Sequence, residues 1–186
     1  MSNLGLCSSM RKFLIGTTLI SLMFSIPNAM AMGSGDKFQD AQTGLTFQIF
    51  KPANTAHLKG YRFKMLSCGA DTEQWIAAYY GKTSKGPALQ ILENSAATPC
   101  YNSGMGVTVA TTTINKAPVR FVAYCDPASQ KQWKNCSIKD IAKYGGYAHW
   151  DTAPTKNLKA TTIEIIAMGL SYQQILDVAK SLKPLP

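Results

Sequence analysis

Thr161-Thr162-Ile163-Glu164-Ile165-Ile166-Ala167-Met168, followed at once by Gly169-Leu170-Ser171-Tyr172-Gln173-Gln174-Ile175-Leu176-Asp177-Val178-Ala179-Lys180-Ser181-Leu182-Lys183-Pro184, decides the fold. The first run is rich in β-branched residues and reads as a strand. The second begins at Ser171 with Gln174 three positions on, a capping box in which each side chain satisfies the other's backbone N–H. Leu170 and Ile175 stand where a hydrophobic staple belongs. Ile175, Val178, Ala179 and Leu182 recur at i, i+3, i+4 and i+7 and make one apolar stripe. Lys180 and Lys183 suit the negative end of the helix dipole, and Pro184 should stop the helix. A strand leading into a one-striped helix predicts an α+β fold. Its helix lies across the apolar face of a twisted antiparallel sheet.

Upstream segments supply the rest of that sheet. Leu45, Phe47 and Ile49 alternate with Thr46 and Gln48, and Tyr61, Phe63 and Met65 alternate with Arg62 and Lys64. Both patterns predict strands with one buried and one solvated face, and so a sheet covered on one side. Trp75 to Tyr80 is apolar on both faces and suits a central strand, with Ala88 to Leu92 returning after the Gly81–Gly86 hairpin loop. Val107 and Val109 open a further strand, the turn Asn115–Pro118 leads to Val119–Tyr124, and Tyr144-Gly145-Gly146-Tyr147-Ala148-His149-Trp150 is aromatic and glycine-kinked. Over Ile138–Lys143, periodicity leaves helix and strand both open.

Residues 1–31 read as a secretory signal: Arg11-Lys12, an apolar run from Phe13 to Ile26, then Ala29-Met30-Ala31 before the cleavage point. Met10 would give a more ordinary start than Met1, and Cys7 precedes the apolar run, where it cannot be a lipoprotein cysteine. Residues 32–43 are expected to be flexible, and 44–186 to form a single α+β domain. The expected location is secreted or periplasmic, with no stable membrane anchor after cleavage.

In that compartment Cys68, Cys100, Cys125 and Cys136 should pair. Four cysteines allow three connectivities. Cys125–Cys136 brackets a short polar loop, which favours that bridge together with Cys68–Cys100. No Cys-x-x-Cys or paired-His spacing suggests a metal site.

The chain carries 19 Lys and Arg against 10 Asp and Glu. Beyond the leader only Arg62 and Arg120 are arginines. Lysine is a diffuse point charge without arginine's planar fork, which argues against nucleic-acid reading. The excess solubilises the surface or draws the protein toward anionic envelope polymers.

Leu45-Thr46-Phe47-Gln48-Ile49-Phe50-Lys51-Pro52 and Gly60-Tyr61-Arg62-Phe63 form a strand–Pro–Gly-Tyr–strand opening. Ile114-Asn115-Lys116-Ala117-Pro118-Val119 follows as turn and strand. His149-Trp150-Asp151, Met168-Gly169-Leu170-Ser171 and Ile175–Leu182 close the chain as a Trp strand and capped helix. In this order they resemble a bacterial extracytoplasmic domain family of unknown function, found in some anti-sigma factors and sporulation lipoproteins. The resemblance implies a twisted antiparallel sheet backed by a C-terminal helix, without established catalysis. The cysteines depart from that family's pattern.

No catalytic motif stands out. His57 reads as a solvated loop residue. His149 next to Asp151 could be combined with Ser137 or Ser171, but there is no Gly-x-Ser-x-Gly elbow and Ser171 is already a helix cap. No paired carboxylates suggest a glycosidase, and Gly33-Ser34-Gly35 and Gly104-Met105-Gly106 do not lead from strand to helix as a phosphate loop would. Asn135-Cys136-Ser137 matches a glycosylation sequon, of consequence only in a eukaryotic secretory pathway. Tyr144, Tyr147, His149 and Trp150 read first as core side chains and second as a platform for a sugar ring or apolar peptide. The reading that follows is an exported, non-enzymatic binding domain without cofactor or metal, facing an envelope protein, a peptide or an anionic polymer. The alternatives are a small secreted hydrolase or hydrolase inhibitor with a loop-assembled site, and a structural envelope component.

Overall fold

Side chains that alternate between apolar and polar let consecutive segments share one sheet, and seven segments do so here. A computed structural model of the protein describes residues 33–68, 73–98, 100–101, 104–125 and 135–186. Its elements run α1 (Lys37–Gln42), β1 (Phe50–Pro52), β2 (Gly60–Ser67), β3 (Gln74–Thr83), β4 (Gly86–Ser95), β5 (Val107–Ile114) and β6 (Ala117–Ala123). They continue α2 (Asp140–Tyr144), β7 (Gly146–Asp151), β8 (Thr161–Ala167), α3 (Tyr172–Ser181) and β9 (Leu182–Pro184). The main sheet is antiparallel throughout, in the order β2-β3-β4-β8-β7-β6-β5, and β1 pairs with β9 as a separate ribbon.

One face of the sheet, here the front, carries the core. Ile76, Ala78, Leu89, Ile91, Ile163, Ile165, Ala148, Trp150, Val119 and Phe121 all point to it and are buried. Against them lie Ile175, Val178 and Ala179 of α3 and Leu182 at the start of β9, together with Phe38 and Ala41 of α1. The capping box forms as expected: Ser171 Oγ accepts from Gln174 N, and Ser171 N donates to Gln174 Oε1 at 2.9 Å. Both disulfides have the expected connectivity, Cys68–Cys100 and Cys125–Cys136, with Cα atoms 5.2 and 5.7 Å apart.

Four expectations need correction. Residues 32–43 are not all flexible, because α1 forms over Lys37–Gln42 and Phe38 seats its ring against Phe63 at 4.9 Å. Leu45–Ile49 does not join the main sheet; only a parallel bridge links Phe47 to Lys159. It crosses over the front face, and side chains replace the ladder: Ile49 N donates to Gln42 Oε1 at 2.7 Å, and Gln42 Nε2 donates to Phe47 O at 3.0 Å. This is why Gln48 is buried along with its apolar neighbours. α3 does end before Pro184, but Leu182, the last residue of the expected helical stripe, already lies outside it: Leu182–Pro184 turns out of α3 to pair with β1.

The back of the sheet is also covered in part. β4 and β5 point the same way and are separated by β8, β7 and β6, so the link from Ser95 to Val107 must cross the sheet. Tyr101 in that link packs against Trp75 at 5.3 Å, and its hydroxyl donates to Leu92 O. Trp75 and Leu92 are back-face residues, so Tyr101 lies on the back. The Ile138–Lys143 ambiguity resolves to helix at Asp140–Tyr144; residues 126–134 of the proposed disulfide loop lie outside those described.

Candidate functional site

The double glycine explains how the aromatic segment is placed. Gly145 ends α2 at φ +88°, a left-handed conformation that glycine adopts freely. Gly146 then enters β7 so close to β6 that a Cβ there would lie 2.3 Å from Val122 O. From Gly146 the side chains alternate, and the four aromatic candidates separate. Trp150 faces the front core and is 5% exposed. Tyr147 and His149 face the back, Tyr147 against Tyr124 at 5.8 Å. Tyr144 stays on α2, where Lys143 Nζ lies 4.6 Å from its ring centre. These four residues form no common platform.

His149 belongs instead to a row straight across the back face, in register Arg120–His149–Glu164–Leu92. His149 Nδ1 lies 3.2 Å from Glu164 Oε2, and Glu164 is 2% exposed. The hydroxyls that a hydrolase would recruit are engaged elsewhere. Ser171 caps α3, and Ser137 Oγ donates to Asp140 Oδ2 at 3.0 Å. Asp151 accepts from Thr162 Oγ1. Among the described residues no group of three His, Cys, Asp or Glu could hold a metal ion.

A concavity of about 420 Å³ does lie beside Trp150, at the end of the sheet where the β5–β6 hairpin meets the end of α3. Its walls are apolar, chiefly Phe50, Ile114, Trp150, Ile163 and Leu182. Next to its floor, Glu93 pairs in register with Ile163 and accepts from Phe50 N at 2.8 Å, while its Oε1 has no hydrogen-bond partner among the described residues. Complete burial raises the Glu93 carboxyl well above the usual range, and the Phe50 N–H only partly offsets this. Through the bond from Phe50 N, Glu93 ties the β1–β9 ribbon to the main sheet.

The second concavity, about 630 Å³, is different in kind. It runs along the junction of α1, β1 and the β2–β3 pair. Its floor is Phe38, Phe63 and Tyr80, and its rim holds Lys51, Tyr61, Arg62 and Tyr79. The register shift between Gly60 and Arg62 brings Tyr61 and Arg62 to that rim. The Arg62 guanidinium lies 4.3 Å from the ring centre of Tyr79 and 5.7 Å from that of Tyr61. Such contacts hold a cation by attraction to the ring faces, about 0.5–1 kcal/mol each at exposed sites.

Arg62 has no acidic partner among the described residues, so its planar donors stay available. Lys51, by contrast, is held by Asp36, which also caps α1 by accepting from Phe38 N. That Lys51 contact, with the backbone N–H groups, keeps the Asp36 carboxyl below its ordinary range. Tyr80 is pushed the other way by burial, and next by the nearby carboxyl groups of Glu93 and Asp36; it stays a neutral phenol. The groove is thus an aromatic cleft with one oriented guanidinium.

In the sequence, Tyr61, Arg62 and Phe63 read as part of a strand and not as site residues. A cation between aromatics, Tyr61-Arg62-Phe63, was the available signal. Tyr79 as its stacking partner depends on strand register and could not be read locally. Compared with models of protein families, with curated proteins and with solved structures, this chain matches none of them.

Proposed function

We propose that the protein works outside the cytosol, in the cell envelope or secreted, as a non-enzymatic binding module whose working surface is the groove along β2 and β3. One observation carries this reading: Arg62, free of any acidic partner among the described residues, is held by Tyr61 and Tyr79 at the rim of an aromatic cleft. A guanidinium held this way suits a ligand that joins an anionic group to an apolar or ring-shaped body. The excess of cations over acids favours such a partner at longer range. The leader-like residues 1–31 and the two disulfides support export to an oxidising compartment. Kinship with the extracytoplasmic bacterial domains is part of the same proposal.

A hydrolase is the competing reading, and one contact favours it: His149 has the carboxylate neighbour that a general base uses. Two measurements separate these readings. Titration with polygalacturonate and poly-glutamate should show salt-sensitive binding that Arg62→Ala weakens and His149→Ala leaves intact. Hydrolytic turnover that disappears in His149→Ala would overturn the binding-module reading.

A further inference from the structure

β2 is an outer strand of eight residues, and no described strand pairs with its free edge. Natural sheets rarely leave such an edge both long and apolar, because its unpaired N–H and C=O groups invite another chain. Large hydrophobic residues exposed among those described are Tyr61, Met65, Met105, Ile138 and Met168, and two of these five lie on β2. Tyr61 is 39% and Met65 40% exposed. Arg62 and Lys64 lie between and beside them, both exposed and without an acidic partner among the described residues. From Arg62 on, the free edge therefore has cations on one side and the apolar Phe63 and Met65 on the other.

We propose that this edge takes up an extended acidic peptide segment as an eighth strand, its acidic side chains meeting Arg62 and Lys64 and its alternate apolar side chains covering Phe63 and Met65. The proposal rests on the reading of the groove as the binding surface and names its ligand. Strand addition draws affinity from main-chain hydrogen bonds and specificity from alternate side chains, and β2 offers both. A second copy of this chain fits the edge less well. Two β2 edges side by side would set Arg62 and Lys64 against the same cations, and like charges across a pair are destabilising.

The test uses the full chain, recovered from an exporting host with its disulfides intact, and fluorescence anisotropy of labelled eight-residue peptides. The probes are an alternating Glu–Val peptide, the same peptide N-methylated at every second residue, and an alternating Lys–Val peptide. Polygalacturonate serves as an anion that cannot add a strand. The Glu–Val peptide should bind, and N-methylation should weaken it about tenfold or more by removing the pairing hydrogen bonds. The double variant Arg62→Glu, Lys64→Glu should reverse the preference and bind the Lys–Val peptide, a gain that a misfolded protein cannot give. Equal binding of the methylated peptide would overturn strand addition and leave the groove standing as a charge-reading site. Polygalacturonate binding without any peptide binding would do the same. Failure of every acidic probe would remove both proposals.

Discussion

Glu93 is the residue whose chemistry departs furthest from its type. It lies wholly within the core, accepts one hydrogen bond from Phe50, and has its carboxyl raised by burial. In the unfolded chain it ionises near 4.5. Between that value and its higher folded value the native state holds a proton that the unfolded state has lost. Stability from this group is therefore complete below about 4.5 and falls as pH rises through the folded value, by up to about 1.4 kcal/mol per pH unit. Glu93→Gln removes the titration while keeping an acceptor for Phe50. Urea unfolding at pH 5 and pH 8 should show the variant gaining on the parent as pH rises; a constant difference would mean that Glu93 is ionised in the fold. Asp36 has the opposite sign. Its lowered value means that the Lys51 contact stabilises above about 3.8 and is lost on acidification. Neither role was legible in the sequence. Glu93 closes the alternating run Leu89, Ile91, Glu93, where a charged residue suggests the end of burial rather than its centre.

Among the elements, α3 and the entry to β7 are specified by local signals, and single substitutions test each. Ser171→Ala should cost about 1 kcal/mol, since it strands an N–H in the first turn. Ile175→Ala should cost about 2–5 kcal/mol, because that side chain is fully buried against the sheet. Gly146→Ala should cost about 1–3 kcal/mol or more, since its Cβ would collide with Val122 O. Shifts in the denaturant midpoint measure all three, and an unshifted Gly146→Ala would show that β6 and β7 are farther apart than described. α3 was legible almost residue by residue, because cap, staple and stripe are local. The segment Leu45–Ile49 was misread because alternation reports burial on one side only. Alternation does not record whether the backbone pairs with a sheet or with a nearby side chain such as Gln42. Trp150 and His149 were grouped for a similar reason. Adjacency in sequence puts strand residues on opposite faces.

For the whole molecule, both bridges lie just beyond strand ends, after β2 and after β6. Cys68–Cys100 holds the crossing link near the β2–β4 side, and Cys125–Cys136 ties the end of β6 to the approach to α2. The core has enough buried hydrophobic surface of its own, so each bridge should add stability without deciding the fold. Chain-entropy reasoning gives about 3 kcal/mol for the 11-residue separation and nearer 4 kcal/mol for the 32-residue one. Paired Cys→Ala variants followed by thermal unfolding should rank in that order while both remain folded. The pairing itself could be read from spacing and compartment; the β2 edge could not. Tyr61, Arg62 and Met65 carry the alternation of an ordinary half-buried strand, and only strand order reveals that nothing described lies beyond them. The most direct check on that edge is amide hydrogen exchange of the full chain with and without the alternating Glu–Val peptide. The account predicts new protection confined to residues 60–67 and the adjoining groove. Protection centred on the back-face row at His149 and Glu164, or none anywhere, would contradict it.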